Sequence, residues 1–194
     1  VLTVEGTMSN LKLDFVVYLG DPDEGASSVS SHKAIEKAEE YKAQLKFHEG
    51  VYGAVTVEKN GKVLGEKKHD PVLQLVTSFI RSVPYIIDGE PETALLSESE
   101  YGFLFEPSGD DLILSCFAGD AYEPDEYLIE HEQMPLESFA DQVVAMGERL
   151  VSLIKKVDAT ALKDDYAKTL TEFLDTAKSA LKTFKLERER GVRR

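Results

Sequence analysis

The chain has no tryptophan, a single cysteine and three methionines in 194 residues. One thiol, Cys116, excludes an internal disulfide and fits a reducing compartment. No apolar run approaches the roughly 18 residues that a membrane span requires. The N-terminal residues lack the basic region and apolar core of a secretory leader, so the expected location is the cytoplasm. Met8 is a candidate start, with Val1–Thr7 then a leader. The four histidines are far apart and lack the paired spacing of zinc ligands. There is no Gly-x-Ser-x-Gly elbow, Walker loop or Gly-x-Gly-x-x-Gly, which leaves serine hydrolysis and nucleotide binding without a motif.

The most informative absence is of positive charge. From Ser82 to Glu148, 67 residues contain no Lys or Arg and 17 acids. The whole chain has 36 acids and 22 cations, so 19 acids face all 22 cations elsewhere. The net charge of −14 therefore belongs to one third of the chain. Such a field disfavours nucleic acid and anionic lipid and admits cationic proteins and metal ions. Solubility alone is the plainer explanation.

What is present reads as an α+β fold with a mainly antiparallel sheet built from hairpins, in the order ββ-α-ββ-α-ββββ-α-α. Helices cover its faces and two close the chain. Leu11, Leu13, Phe15, Val17 and Leu19 alternate as a half-buried strand, with Leu2–Val4 as its expected hairpin partner. Gly20–Ser31 is a polar loop whose acids miss the calcium-loop pattern. Ser30 or Ser31 caps an expected helix from about His32 to Phe47, with Ile35, Ala38, Tyr41 and Leu45 as its stripe. Val51–Glu58 and Lys62–His69 form a hairpin around Asn60-Gly61, the dipeptide of a type I′ turn. Asp70-Pro71 signals a helix start, with Asp70 as cap. The stripe Val72, Leu75, Val76, Phe79, Ile80, Val83 follows, and Pro84 is the expected stop.

Beyond it, Tyr85–Ile87 reads as extended and Asp88-Gly89 as a turn. Thr93–Leu96, Tyr101–Phe105, Leu112–Phe117 and Glu126–Glu132 read as strands, with a turn at Pro107–Asp110 and a loop at Gly119–Asp125. Leu112, Leu114 and Cys116 share one strand face, which places the thiol in the core rather than in a nucleophilic site. Pro135 opens a helix along Leu136, Phe139, Val143, Gly147, Leu150, Ile154 and Val157. A last helix runs to about Leu186 on Leu162, Tyr166, Leu170, Phe173, Leu174, Ala177, Leu181 and Phe184. Residues 1–158 read as the main domain. Residues 159–194 read as a helix and basic tail that either packs on it or reaches out, as in a homodimer.

Two features bear on function. Glu130-His131-Glu132 is the best chemical cluster, a candidate base or metal contact, although strand alternation points His131 away from both acids and favours a solvated edge. Asp120, Tyr122, Glu123, Asp125, Glu126, Tyr127 and Glu130 interleave rigid aromatic anchors with steering charge, the composition of a surface for a cationic partner. No catalytic residue, metal or cofactor is assigned. The resulting expectation is a non-catalytic acidic binding module, most concretely a bacterial immunity protein that neutralises a toxin such as a nuclease. The alternatives are an adaptor or secretion chaperone working through the C-terminal helices, and a carboxylate- or metal-dependent hydrolase.

Overall fold

The computed structural model describes residues 11–65 and 67–191. The strands are β1 (Leu11–Tyr18), β2 (Ser28–Ser30), β3 (Tyr52–Lys59), β4 (Lys62–Leu64), β5 (Asp70–Pro71), β6 (Glu92–Leu95), β7 (Tyr101–Ser108), β8 (Asp111–Gly119) and β9 (Pro124–Pro135). The helices are α1 (Ser31–Glu36), α2 (Ala38–Tyr41), α3 (Val72–Ile87), α4 (Leu136–Asp158) and α5 (Asp165–Glu189). Short 3-10 turns occupy Pro22–Glu24 and Ala159–Lys163.

The fold is α+β, and all strand pairings are antiparallel. The strands form two sheets rather than one. The first runs β2-β1-β3-β4, with β5 also on β3, and the second runs β6-β7-β8-β9. Lys59 and Glu132 pair across from β3 to β9 at 2.6 Å. One hydrophobic core includes buried residues from both sheets and from α3, α4 and α5.

Several local expectations are met for the expected reasons. Asn60 (φ 52) and Gly61 (φ 81) take the two left-handed positions of the β3–β4 turn. Ser30 caps α1, accepting from the Lys33 amide at 3.3 Å. β8 lies between β7 and β9, with Leu112, Leu114, Cys116 and Phe117 all buried. Every residue of the α4 stripe is buried. Lys155 and Lys156 lie in that helix's last turn, where its dipole favours cations.

Others are corrected. β4 stops at Leu64 instead of reaching His69, because Gly65 turns the chain with a left-handed φ of 63. The 32–47 helix is broken at Lys37 and unwinds after Tyr41. Leu45 and Phe47, two residues apart, are both buried, which a continuous helix with one stripe could not arrange. Ser28–Ser30, expected within a loop, pairs with the end of β1.

Pro84 lies inside α3, and Tyr85–Ile87 are helical rather than extended. The bond lost at the proline is offset by burial of Ile86 and Ile87 beyond it. The β7–β8 turn is tighter than expected, with Pro107 and Ser108 still in the strand. The expected strand at Leu2–Val4 lies outside the described residues.

The last helix does not extend away. Ala167, Leu170, Leu174, Ala177, Leu181 and Phe184 of α5 are buried in the common core, while Tyr166 turns out to solvent. Lys178 to Glu148 (2.6 Å) and Lys185 to Asp141 (2.7 Å) fix α5 antiparallel to α4. Cys116 is 3 % exposed, and burial pushes its thiol up to about 12. Native protein is therefore expected to react with a thiol reagent about a thousand-fold more slowly than unfolded protein, a loss of roughly three pKa steps of thiolate. Equal rates in buffer and in denaturant would place the thiol outside the core.

Candidate functional site: an acidic and aromatic rim

Five of the 17 acids in the cation-free segment are neutralised within the chain. Asp110, Glu132, Glu137, Asp141 and Glu148 are neutralised by cations from outside the segment: Arg188, Lys59, Arg188 again, Lys185 and Lys178. Three of those four cations lie on α5, so the start of the basic tail lies against the chain's own acids. Among the described residues, no Lys or Arg lies within ion-pair distance of Asp120, Glu123, Asp125, Glu126 or Glu130. These five are the carboxylates singled out from the sequence, and all are exposed.

The backbone holds the first of them in place. Asp120 Oδ1 accepts from the amides of Tyr122 (2.8 Å) and Glu123 (3.3 Å), which closes the β8–β9 loop and turns Tyr122 out, 74 % exposed. The Gly119 amide donates to Glu100 O at 3.1 Å, tying this loop to the β6–β7 turn. β9 is far longer than the expected Glu126–Glu132, and its register against β8 slips three times. Such bulges twist an edge strand and re-aim its side chains.

One bulge overturns the alternation expected at His131. That residue takes a φ of 49 and its amide donates to the buried Ser115 hydroxyl at 3.2 Å. Its ring stacks at a tilt on Tyr127, with centroids 5.2 Å apart. Nδ1 lies 3.9 Å from Glu130 Oε1. Half-buried Tyr127 and exposed Glu130 and His131 therefore form one group, whereas Glu132 turns to Lys59.

A second part of the rim was not visible in the sequence. The His69 ring stands edge-on to Tyr18 (6.1 Å) and to Tyr52 (5.7 Å). Its Nε2 is 3.5 Å from Asp23, and the Tyr52 hydroxyl donates to Glu98 at 3.1 Å. That bond to Glu98, then the nearby charges of Glu98, Asp21 and Asp23, raise the Tyr52 phenol above its ordinary range. Lys68 sits over the Tyr101 ring at 4.2 Å, so a cation already rests on an aromatic face in this part of the molecule. These residues come from β1, β3, the segment before β5 and β7. Only strand pairing across two sheets brings them together, and no sequence spacing announces it.

Asp70 underlies this arrangement. It does not cap α3; Pro71 occupies the cap position. Its carboxylate, in a residue only 1 % exposed, instead accepts from Ser97 N (2.9 Å), Ser97 Oγ (2.9 Å) and Glu98 N (3.1 Å). It thereby fastens the β6–β7 turn, with Glu98 and Glu100, to the first sheet.

The chemistry available elsewhere is limited by burial. Ser31, His32 and Asp14 superficially resemble a nucleophile set, with Ser31 Oγ 2.8 Å from Asp14 and 3.3 Å from His32 Nδ1. Ser31 is fully buried, and Asp14 is also held by Arg149 at 3.0 Å, so the group is a structural tie between β1, α1 and α4. Among the described residues, no three His, Cys, Asp or Glu side chains are grouped to hold a metal ion, and no helix is long and apolar enough to cross a membrane. Comparison with protein-family models, with curated proteins and with solved structures finds no match to this chain.

Proposed function

We propose that the chain is a non-catalytic binding module whose acidic and aromatic rim receives a cationic protein, most concretely as an inhibitor or immunity protein that neutralises a toxin such as a nuclease. The observation that supports this is the partition of charge. The chain's own Lys and Arg pair with five of the segment's 17 acids, while none pairs with the five carboxylates Asp120, Glu123, Asp125, Glu126 and Glu130 among the described residues. Uncompensated like charge on a surface disfavours the compact state by self-repulsion, and a cationic partner relieves it. Tyr122 supplies a rigid exposed ring beside that charge, as binding hot spots do. A nuclease site is cationic because its substrate is a polyanion, so an acidic surface competes for the same field. The adaptor reading draws less support, since the stripe of α5 is already covered by the core.

The test is kinetic. A partner is first captured from the native host on tagged protein. Reversing Glu123 and Asp125 to Lys is then expected to slow association at least ten-fold at low salt and much less at high salt, because exposed charges are screened over about 8 Å at physiological ionic strength. Replacing Tyr122 by Ala is expected to act on dissociation, at a cost of about 2 kcal/mol. An unchanged association rate and salt slope in the charge reversal would remove the rim from the interface.

A further inference from the structure

The second sheet is covered by helices on one face. Phe79 of α3 and Phe139 of α4 meet β7 on the side of Phe103 and Phe105. Among the described residues, α3 and α4 supply the helical packing on this sheet. On the opposite face, strand register aligns one row across all four strands. Leu95 of β6 faces Gly102 of β7, Gly102 faces Phe117 of β8, and Phe117 faces Tyr127 of β9. Residues directly opposite one another share a face. Leu95, Phe117 and Tyr127 stand outside the common core, whereas Ala94, Phe103 and Cys116, one position away along the strands, belong to it. Gly102 is the notch in the row. A Cβ there would lie 2.8 Å from Leu95 Cδ2 and 2.9 Å from Phe117 Cζ, so both side chains lean across the gap. Phe117 is fully buried, Tyr127 is half-buried and Leu95 is 62 % exposed. The His131 ring, 5.2 Å from that of Tyr127, continues the row at its far end.

We propose that this row is the apolar centre of the interface bounded by the acidic rim, and that its occupant is an extended cationic segment of a protein in which apolar side chains alternate with Lys or Arg. The inference rests on the rim reading and names the chemistry of what the rim receives. Charge decides between occupants. Phe117 leads directly into the loop of Asp120, Glu123 and Asp125, and Glu126 and Glu130 stand on either side of Tyr127 in β9. None of these five has a Lys or Arg within ion-pair distance among the described residues. A second copy of the chain would bring a further net charge of −14 to the same field and is repelled. A cationic segment is attracted, and an apolar centre inside a polar rim is the usual anatomy of an interface. Neighbouring strands lie about 4.8 Å apart, so the row is roughly 14 Å long. Alternate side chains of an extended segment lie about 7 Å apart on one side, so three of them span the row.

Two synthetic peptides of equal length and charge, (Lys-Leu)4 and (Lys-Ser)4, separate the row from the rim. Each is titrated into the intact ¹⁵N-labelled chain at low ionic strength, and NMR reads both affinity and place. The leucine peptide is expected to bind about five-fold more tightly, as burial of part of an apolar side chain provides, and to shift the amide signals of Leu95, Gly102 and Phe117. Leu95→Ser, a change at an exposed position, is expected to remove that excess and to leave the serine peptide unaffected. Reversing Glu123 and Asp125 to Lys is expected to weaken both peptides alike. Equal affinities in the wild type, an undiminished excess in Leu95→Ser, or shifts confined to other faces overturn the row as the anchor, while the charge reversals still report on the rim. If neither peptide binds, or charge reversal affects neither, the rim reading fails and this inference with it. Self-association of the chain that Leu95→Ser abolishes would assign the face to a second copy and overturn the cationic occupant.

Discussion

Replacing Phe79 by Ala is expected to lower the unfolding free energy by about 4 kcal/mol, within the 3–5 range for emptying a buried aromatic site. The residue is fully buried on α3 and lies where a helix and a sheet meet. Its ring stands edge-to-face on Phe103 (4.9 Å) and Phe105 (5.0 Å) of β7, and Phe105 in turn touches Phe139 of α4 at 5.2 Å. Each such aromatic pair adds about 0.5–1.5 kcal/mol beyond area burial. Truncation removes two pairs and opens a cavity that three elements would have to move to fill. For a domain of ordinary stability, about 5–15 kcal/mol, this is a large fraction of the whole. At roughly 2–4 °C per kcal/mol for a chain of this size, the midpoint should fall by on the order of 10 °C. Phe79→Leu keeps most of the volume and should cost about 1.5 kcal/mol. Urea unfolding monitored by far-ultraviolet dichroism measures both. A loss below about 1 kcal/mol for Phe79→Ala would show that α3 does not organise the core.

The position of that core is legible in the sequence, because the stripe Val72–Val83 carries almost no polar interruption. The hairpin at Asn60-Gly61, the α4 stripe and the buried face of β8 are legible for the same kind of reason: each rests on a short-range rule about turns or periodicity. What was not legible depends on tertiary context. Pro84 is a local stop signal overridden by the burial of Ile86 and Ile87. The single expected sheet becomes two because strand pairing over long separations leaves no periodic trace. His131 turned to the side of Glu130 because a bulge breaks the period of two on which alternation relies. The seven rim residues named from composition and interleaving do lie on one loop and one strand, since they are close in sequence. Tyr18, Tyr52 and His69 were missed because they meet only through the pairing of β1 with β3 and of β3 with β5. The charge of the 17 acids is partly offset by α5, whose lysines and arginine lie against α4 and Asp110.

Asp70 is where sequence and structure disagree most usefully, and its replacement tests the rim's foundation. As a helix cap it would cost about 1 kcal/mol to remove. As a buried acceptor for three donors it should cost more. Asp70→Ala leaves Ser97 N, Ser97 Oγ and Glu98 N without their acceptor, and hydrogen bonds to charged groups contribute about 1.5–3 kcal/mol each without being additive. The expected loss is about 3 kcal/mol. Asp70→Asn keeps an acceptor oxygen and removes the charge, so it should cost about 1 kcal/mol or less at neutral pH. The two variants also differ in pH dependence. Burial raises the Asp70 carboxyl above its ordinary value of 3.8, against the lowering effect of the Ser97 and Glu98 hydrogen bonds. A carboxyl raised in the folded state contributes stability that is fully present below its unfolded value and is lost as pH rises through its folded value. Wild type should therefore lose stability relative to Asp70→Asn as pH rises from about 4, where free Asp titrates, toward neutrality. Denaturant unfolding of both proteins at half-unit steps across that interval gives the difference directly, free of the other titrating groups they share. A constant difference would mean that the Asp70 charge is not desolvated. A loss near 1 kcal/mol for Asp70→Ala would return the residue to the role of a cap and leave the β6–β7 turn, with Glu98 and Glu100, without its anchor to the first sheet.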